Sequence, residues 1–142
     1  MYKQKGNTKM SKKKDPNIIL RDKRLRDLVR QKKYAVKAAS RFGCPFLDRI
    51  VEEDFELMER IIKLEHFVWE VGIEQQKDNK TGKVYAEIIV LGEFTDVANS
   101  FGKKDRDLLI KQHKYMAAYA AVLKQRVERI CKQLEAKRKE VK

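Results

Sequence analysis

Few side chains in this sequence are suited to catalysis. The chain has two histidines, His66 and His113, and two cysteines, Cys44 and Cys131. Neither histidine has another His, a Cys or a carboxylate at the spacing of a recognisable metal motif, and the two cysteines lie far apart with no companion ligands. The sequence therefore predicts ordinary reduced thiols, no metal site and no cofactor.

A group of carboxylates between residues 52 and 59 is the remaining candidate for catalysis. Carboxylate oxygens suit Mg²⁺, so a metal-dependent nucleic-acid enzyme is one hypothesis. Adjacent carboxylates on a helix point in different directions, however, which favours a solvated acidic face near a helix start. We therefore predict that the protein is not an enzyme. The carboxylates are Glu52, Glu53, Asp54, Glu56 and Glu59.

Charge is distributed unevenly along the 142 residues, whose net charge is +13. Residues 1–50 carry +12, residues 51–102 carry −7 and residues 103–142 carry +8. Two basic ends around an acidic middle favour a polyanionic partner at the ends. The alternative is that the lysine-rich ends are only solvated tails.

The segment IILRDKRLRDLVRQKK, residues 18–33, predicts a basic helix. Its apolar residues recur at helical spacing, and its cations form a stripe able to neutralise several phosphates. Residues 1–16 contain almost no apolar side chains, so they predict a disordered basic arm. The predicted DNA-binding residues are Arg21, Lys23, Arg24, Arg26, Arg30, Lys32, Lys33, Lys37, Arg41 and Arg49.

Residues 17–53 are predicted to form a DNA-binding segment that contains a helix-turn-helix-like stretch, YAVKAASRFGCPFLDRIV. Ala39 is the small residue expected where two helices cross, and Gly43 is the glycine expected in the turn. Pro45 cannot continue the first helix. The second half of the stretch is acidic and out of register, so a plain helical corner beside a nonspecific basic helix is the alternative.

Residues 54–102 predict a helical oligomerisation core. The preferred interpretation is an antiparallel helical pair around the turn QQKDNKTGK, with one apolar helical face running from Val84 to Phe101. A β-hairpin around residues 68–91 is the alternative, because Trp69, Val71 and Ile73 alternate with polar residues. The predicted interface residues are Phe55, Met58, Ile62, Trp69, Ile88, Leu91, Leu123 and Ile130.

Residues 103–142 predict a long C-terminal helix with a basic tail, because apolar residues follow a spacing of three and four. The expected fold is therefore all-α, with an N-terminal helix-turn-helix-like segment, a central helical pair and this long helix. The alternative fold is α+β, with the hairpin in the middle. No apolar run is long enough to cross a membrane.

Together, the basic N-terminal segment and the stretches DFELMERIIKLEHFVWEVGIEQQ and VYAEIIVLGEFTDVANSFGKKDRDLL resemble the small terminase subunits of tailed bacteriophages. The resemblance covers roughly residues 30–110 and rests on a pattern, not on an invariant motif. The chain departs from that family in having Gly82-Lys83-Val84 where an Asn-Pro often precedes the second helix, and in its long C-terminal helix.

This resemblance implies a homo-oligomeric, ring-forming subunit in the cytoplasm of a bacterial host cell. It implies that the subunit recognises viral duplex DNA and recruits the large terminase subunit, an ATPase and nuclease, for genome packaging.

A second hypothesis is a double-stranded-RNA-binding domain of α-β-β-β-α type. That fold would need a third strand in TDVANSFG.

Overall fold

Four helices and one β-hairpin make up the part of the chain that the computed structural model describes, residues 15–141. Apart from Asp15 and Pro16, the predicted basic arm at residues 1–16 lies outside the described residues. The elements in chain order are α1 (Pro16–Ser40), α2 (Pro45–Val68), β1 (Trp69–Lys77), β2 (Val84–Phe94), α3 (Asp96–Ser100) and α4 (Lys103–Val141).

Local chemistry sets both ends of α1. The Asp15 side chain accepts a hydrogen bond from the backbone N–H of Asn17 at 2.9 Å, and Pro16 occupies the first turn, where its missing N–H costs nothing. The helix ends at Ser40, and Gly43 then takes the left-handed conformation with φ of +61°. Pro45 begins α2. The predicted corner between two helices is therefore present.

The helices α1 and α2 run antiparallel along their whole length. Arg24 near the start of α1 contacts Glu65 near the end of α2, and Lys32 contacts Glu52. At the opposite end, Ala39 packs in one apolar cluster with Leu47 of α2. The pair is thus a long helical hairpin, whereas a helix-turn-helix motif crosses its two helices at a steep angle.

The α4 helix returns along the other side of α2 and completes the core. Ile50 and Leu57 of α2 pack against Ala120 and Leu123 of α4, and Leu123 is fully buried. Burial of such side chains stabilises the fold by about 1.5–3 kcal/mol each. The central α2 helix is therefore covered on two sides, by α1 and by α4.

Residues 69–94 form an antiparallel hairpin, so the all-helical prediction was wrong here and the α+β alternative is confirmed. Val71 pairs with Leu91 and Ile73 with Ile89 across the two strands. The apolar run of β2 satisfies a helical spacing as well as a strand, but only the strand provides cross-strand partners. At the tip, Gly82 takes a φ of +72°.

The single helix predicted from Val84 to Phe101 does not form. Residues 84–94 are the strand β2, and Thr95 separates this strand from the short helix α3. The Thr95 hydroxyl accepts a hydrogen bond from the Ala98 backbone N–H at 3.2 Å and donates one to the Phe67 carbonyl at 2.7 Å. Thr95 thereby caps α3 and ties it to the end of α2. Because residues 96–100 are helical, they do not supply the third strand of an α-β-β-β-α domain.

Candidate nucleic-acid interface

The exposed side of α1 carries a straight row of cations. Six basic residues follow each other at intervals of three or four, which places them within less than a quarter of the helix circumference. They extend over eighteen residues of helix, or about 27 Å. We call this row the basic face of α1; its members are Lys23, Arg26, Arg30, Lys33, Lys37 and Arg41, all exposed.

Most of the charge on the basic face is available to a ligand. Asp27 is the acid beside it, and it contacts both Lys23, at 3.3 Å, and Arg30. The hydrogen bond from Lys23, helped by the charge of Arg30, holds the pKa of Asp27 below its usual value. Within the described residues, the side chains of the other four members make no ion pair.

Two side chains extend this surface. Tyr34 lies at its flank with 78% of the side chain exposed, and its hydroxyl can donate to a phosphate oxygen. Arg138 of α4 lies over the Phe42 ring at 5.2 Å and donates to the Arg41 carbonyl at 3.5 Å. No local pattern predicts Arg138 at this position, because it lies 97 residues after Arg41 in the chain.

The structure places the other four predicted DNA-binding residues elsewhere. Arg24 and Lys32 point toward α2, where Arg24 is only 19% exposed and lies 2.9 Å from Glu65. Arg21 pairs with Asp22 at 3.1 Å, and Arg49 is exposed on α2. Arg24 and Lys32 thus contribute to the contact between α1 and α2, and Arg21 and Arg49 lie outside the basic face.

The exposed strip of α2 has no comparable charge. It carries three acids and three bases, so its net charge is zero. Its charged members are Arg49, Glu53, Glu56, Glu59, Arg60 and Lys63. A helix that faces a groove of DNA needs a surplus of positive charge because phosphates line the groove. The exposed side of α1 has this surplus, and that of α2 does not.

A buried polar network, which the sequence did not reveal, fixes the orientation of α1. The Asn17 side chain donates to the carbonyls of His66 and Trp69, both at 3.1 Å, and accepts from the Val71 N–H at 3.3 Å. Asn17 Oδ1 also lies 2.6 Å from His66 Nδ1. Because 49 to 54 residues separate these partners, no local pattern predicts them.

The network continues through charged side chains to α4. Arg24 lies 3.0 Å from His66 Nε2, and Glu65 lies 2.7 Å from His113 Nε2. Burial, followed by the charge of Arg24, lowers the pKa of His66. His66 and His113 therefore have structural partners in the body of the protein.

The groups considered for catalysis are dispersed. Within residues 15–141, no three His, Cys, Asp or Glu side chains are grouped so that they could hold a metal ion. Cys44 and Cys131 are free, and burial raises the pKa of the Cys131 thiol. Glu52 pairs with Lys32 and Glu59 with Lys63, while burial raises the pKa of Asp54.

Most of the predicted interface residues lie in the body of a single chain. Ile62 and Leu123 are buried, and Phe55 and Ile130 pack against the apolar clusters. Met58, Trp69 and Leu91 are half-buried. Ile88, which lies in the hairpin, is the member with the most exposed side chain, at 43%.

Comparison with known proteins gives one partial match. Residues 88–129 match a family model described as Sequestin. The matched range covers the second half of β2, all of α3 and most of α4, which is less than a third of the chain, and it does not include α1. No curated protein and no solved structure matches the chain. None of the helices in the described range has an apolar stretch that could span a lipid bilayer.

Proposed function

We propose that this protein binds duplex DNA through the basic face of α1. The observation that supports the proposal is the row of six exposed cations on the side of α1 that faces away from the core. The row follows one side of α1, so its charges can meet successive phosphates of a single duplex. Release of condensed counterions from those phosphates would supply most of the binding free energy.

This form of binding is expected to be largely independent of DNA sequence. Contacts to phosphates fix the position of a protein on DNA but carry no sequence information. The helix that a helix-turn-helix protein would insert into the major groove corresponds to α2, whose apolar side is buried against α1 and α4. The exposed strip of α2 also carries as many acids as bases.

A triple substitution, Arg26→Ala, Lys33→Ala and Lys37→Ala, tests the proposal. These side chains make no ion pair within the described residues, so the variant should keep its fold. Fluorescence anisotropy with a labelled duplex, titrated at several salt concentrations, gives the affinity and its salt dependence. We expect weaker binding to every duplex and a slope of log K against log salt that is smaller by about 2.7, at about 0.9 per lost phosphate contact.

The matched control removes the same charge from another surface. Lys111, Lys114 and Lys132 are exposed on α4 and make no ion pair within residues 15–141. Their replacement by Ala should reduce the salt slope much less than the α1 triple does. Equal losses in the two variants would mean that net charge, and not the α1 face, determines binding.

The more specific hypothesis is a small terminase subunit that recruits a large subunit for genome packaging. Its support is the sequence resemblance over roughly residues 30–110. This role requires a preferred DNA site in addition to phosphate contacts. Selection from a random duplex library would enrich such a site, and the absence of any enriched sequence would contradict the packaging role while leaving phosphate binding by α1 in place.

A further inference from the structure

The β-hairpin projects from the helical body with one apolar face uncovered. Side chains alternate across a strand, so one face carries every second residue of each strand. We call this the glycine face; it consists of Gly72, Glu74 and Gln76 from β1 and Ala86, Ile88 and Val90 from β2. Ile88 is 43% exposed and Val90 39%. On the opposite face, Val71 at the base is buried against the body, whereas Ile73 farther along the strand is 41% exposed.

A shallow groove lies beside these exposed side chains. It has a volume of about 490 Å³ and is bordered by Gly72, Gly92 and Val90, with Glu70 and Glu74 at its acidic edge. The two glycines provide no side chain to fill it. A two-stranded hairpin is only marginally stable by itself in water, so a second apolar layer would stabilise it.

Charge is separated along the length of the hairpin. Glu70 and Glu93 lie at its base, next to the helical body, and their side chains make no ion pair within the described residues. Lys77, Lys80 and Lys83 outnumber Asp78 at its tip, and these three lysines likewise make no ion pair in that range. An acidic base and a basic tip attract each other when two hairpins lie antiparallel and repel when they lie parallel.

Ile88 lies midway between these charges. Glu93 lies five positions after it and Lys83 five positions before it. At about 3.3 Å per residue, each charge is about 17 Å away along the strand. A two-fold axis through Ile88 would therefore place Lys83 of one copy beside Glu93 of the other. It would bring the two Ile88 side chains together, with the two Glu74 side chains next to them on the free edge of β1, where Glu74 is exposed to solvent.

We propose that two copies of this chain associate through their glycine faces, with the hairpins antiparallel about a two-fold axis near Ile88. This contact is isologous: each basic tip meets the acidic base of the other copy, and both ends are satisfied at once. Ile88 of each copy packs against Ile88 of the other, and Val90 of each copy lies over the Ala86 and Gln76 pair of the other hairpin.

The size of this surface sets the expected strength of the contact. A strand pair about 30 Å long and about 10 Å wide offers roughly 300 Å² on each copy. A standard interface buries roughly 800 Å² on each partner, so the association is weak and reversible, with a dissociation constant in the micromolar range or above. The proposal does not depend on DNA binding, because the basic face of α1 takes no part in the contact.

Two charge-reversal variants test the proposal. The tip variant carries Lys80→Glu and Lys83→Glu, and the base variant carries Glu70→Lys and Glu93→Lys. In either variant alone, tip and base have the same sign, so sedimentation equilibrium should show self-association at least about 10-fold weaker than that of the unmodified chain. An equimolar mixture should associate about as strongly as the unmodified chain, because each tip again meets a base of opposite sign.

Four outcomes overturn the proposal. The first is an unmodified chain that stays monomeric up to millimolar concentration. The second is self-association in both variants equal to that of the unmodified chain, which would assign the contact to another surface. The third is a mixture that fails to recover association. The fourth is an Ile88→Asn variant, tested separately, that associates as strongly as the unmodified chain. Loss of DNA binding in the α1 triple variant has no bearing on these measurements.

Discussion

Asn17 is the residue on which the junction of α1, α2 and β1 depends. Its amide nitrogen donates to two carbonyls, and its oxygen accepts from the backbone of β1 and faces a ring nitrogen of His66. The oxygen can only accept, so the proton of neutral His66 resides on Nδ1. Nε2 is then an acceptor for the Arg24 guanidinium at 3.0 Å. A second proton on Nε2 would remove this acceptor and place two positive charges together.

His66 should therefore make the stability of the protein depend on pH. Its folded-state pKa is below the ordinary value, so the unfolded chain takes up a proton first as the pH falls below about 6.5. The free energy of unfolding consequently decreases from that pH down to the folded-state pKa, by at most about 1.4 kcal/mol per pH unit. Urea denaturation at closely spaced pH values between 7 and 5 measures this decrease.

The comparison that isolates His66 uses His66→Gln, which cannot titrate. Its free energy of unfolding should be lower than that of the unmodified chain at pH 7, because the buried contacts are altered. Between pH 6.5 and the folded-state pKa, its stability should fall less steeply with acidification. Parallel curves for the two chains would show that other groups account for the pH dependence.

In the hairpin, the backbones of the two strands approach each other closely at the base. A Cβ atom added at Gly92 would lie 2.9 Å from the Glu70 carbonyl oxygen, at the irregular pairing between Trp69 and Val71. Such a distance is too short for a carbon and an oxygen, so one strand would have to shift. Gly92→Ala should therefore destabilise the protein by about 1–3 kcal/mol in chemical denaturation.

Gly72→Ala is the matched control for this substitution. Gly72 lies in the other strand of the same hairpin, and an added Cβ there meets no atom within 4 Å. Alanine also restricts the unfolded chain more than glycine does, so this variant should be as stable as the unmodified chain or slightly more stable. Equal destabilisation in both variants would contradict the steric explanation.

Helix boundaries were more predictable than the choice between helix and strand. Gly43 and Pro45 located the corner after α1, because their backbone preferences act within a few residues. The segment after Val84 was ambiguous, because Ile88 and Leu91 fit both a helical face and an alternating strand. Its partners in β1 lie up to 25 residues away and settle the choice only in three dimensions.

The candidate site was predictable to a similar degree. The basic character of α1 follows from its composition, but which cations remain exposed depends on the side that packs against α2. Arg24 and Lys32 were indistinguishable from Lys33 until the positions of Glu65 and Glu52 were known. Val29 is one of the apolar residues at helical spacing within residues 18–33, yet it is 57% exposed.

In the whole molecule, the two proposed contacts lie on different elements and carry different charge. The basic face of α1 lies on the side of that helix away from α2, and the hairpin begins directly after the end of α2 at Val68. DNA would meet a row of cations, whereas a second copy would meet an apolar strand pair with charges of both signs. One contact can therefore be weakened by substitution while the other is kept.

The length of the basic face predicts the size of the DNA site. Eighteen residues of helix cover about 27 Å, and successive base pairs are about 3.4 Å apart, so one copy should contact roughly 8 base pairs. Stem-loop DNAs with increasing stem length measure this, because the loop keeps a short duplex paired. Affinity per binding position should rise up to a stem of roughly 8–10 base pairs and then stay constant, since further phosphates lie beyond Lys23 and Arg41. If affinity per position continues to rise with longer stems, a second surface, such as the cations of α4, also contacts the duplex. In that case the basic face of α1 does not account for binding by itself.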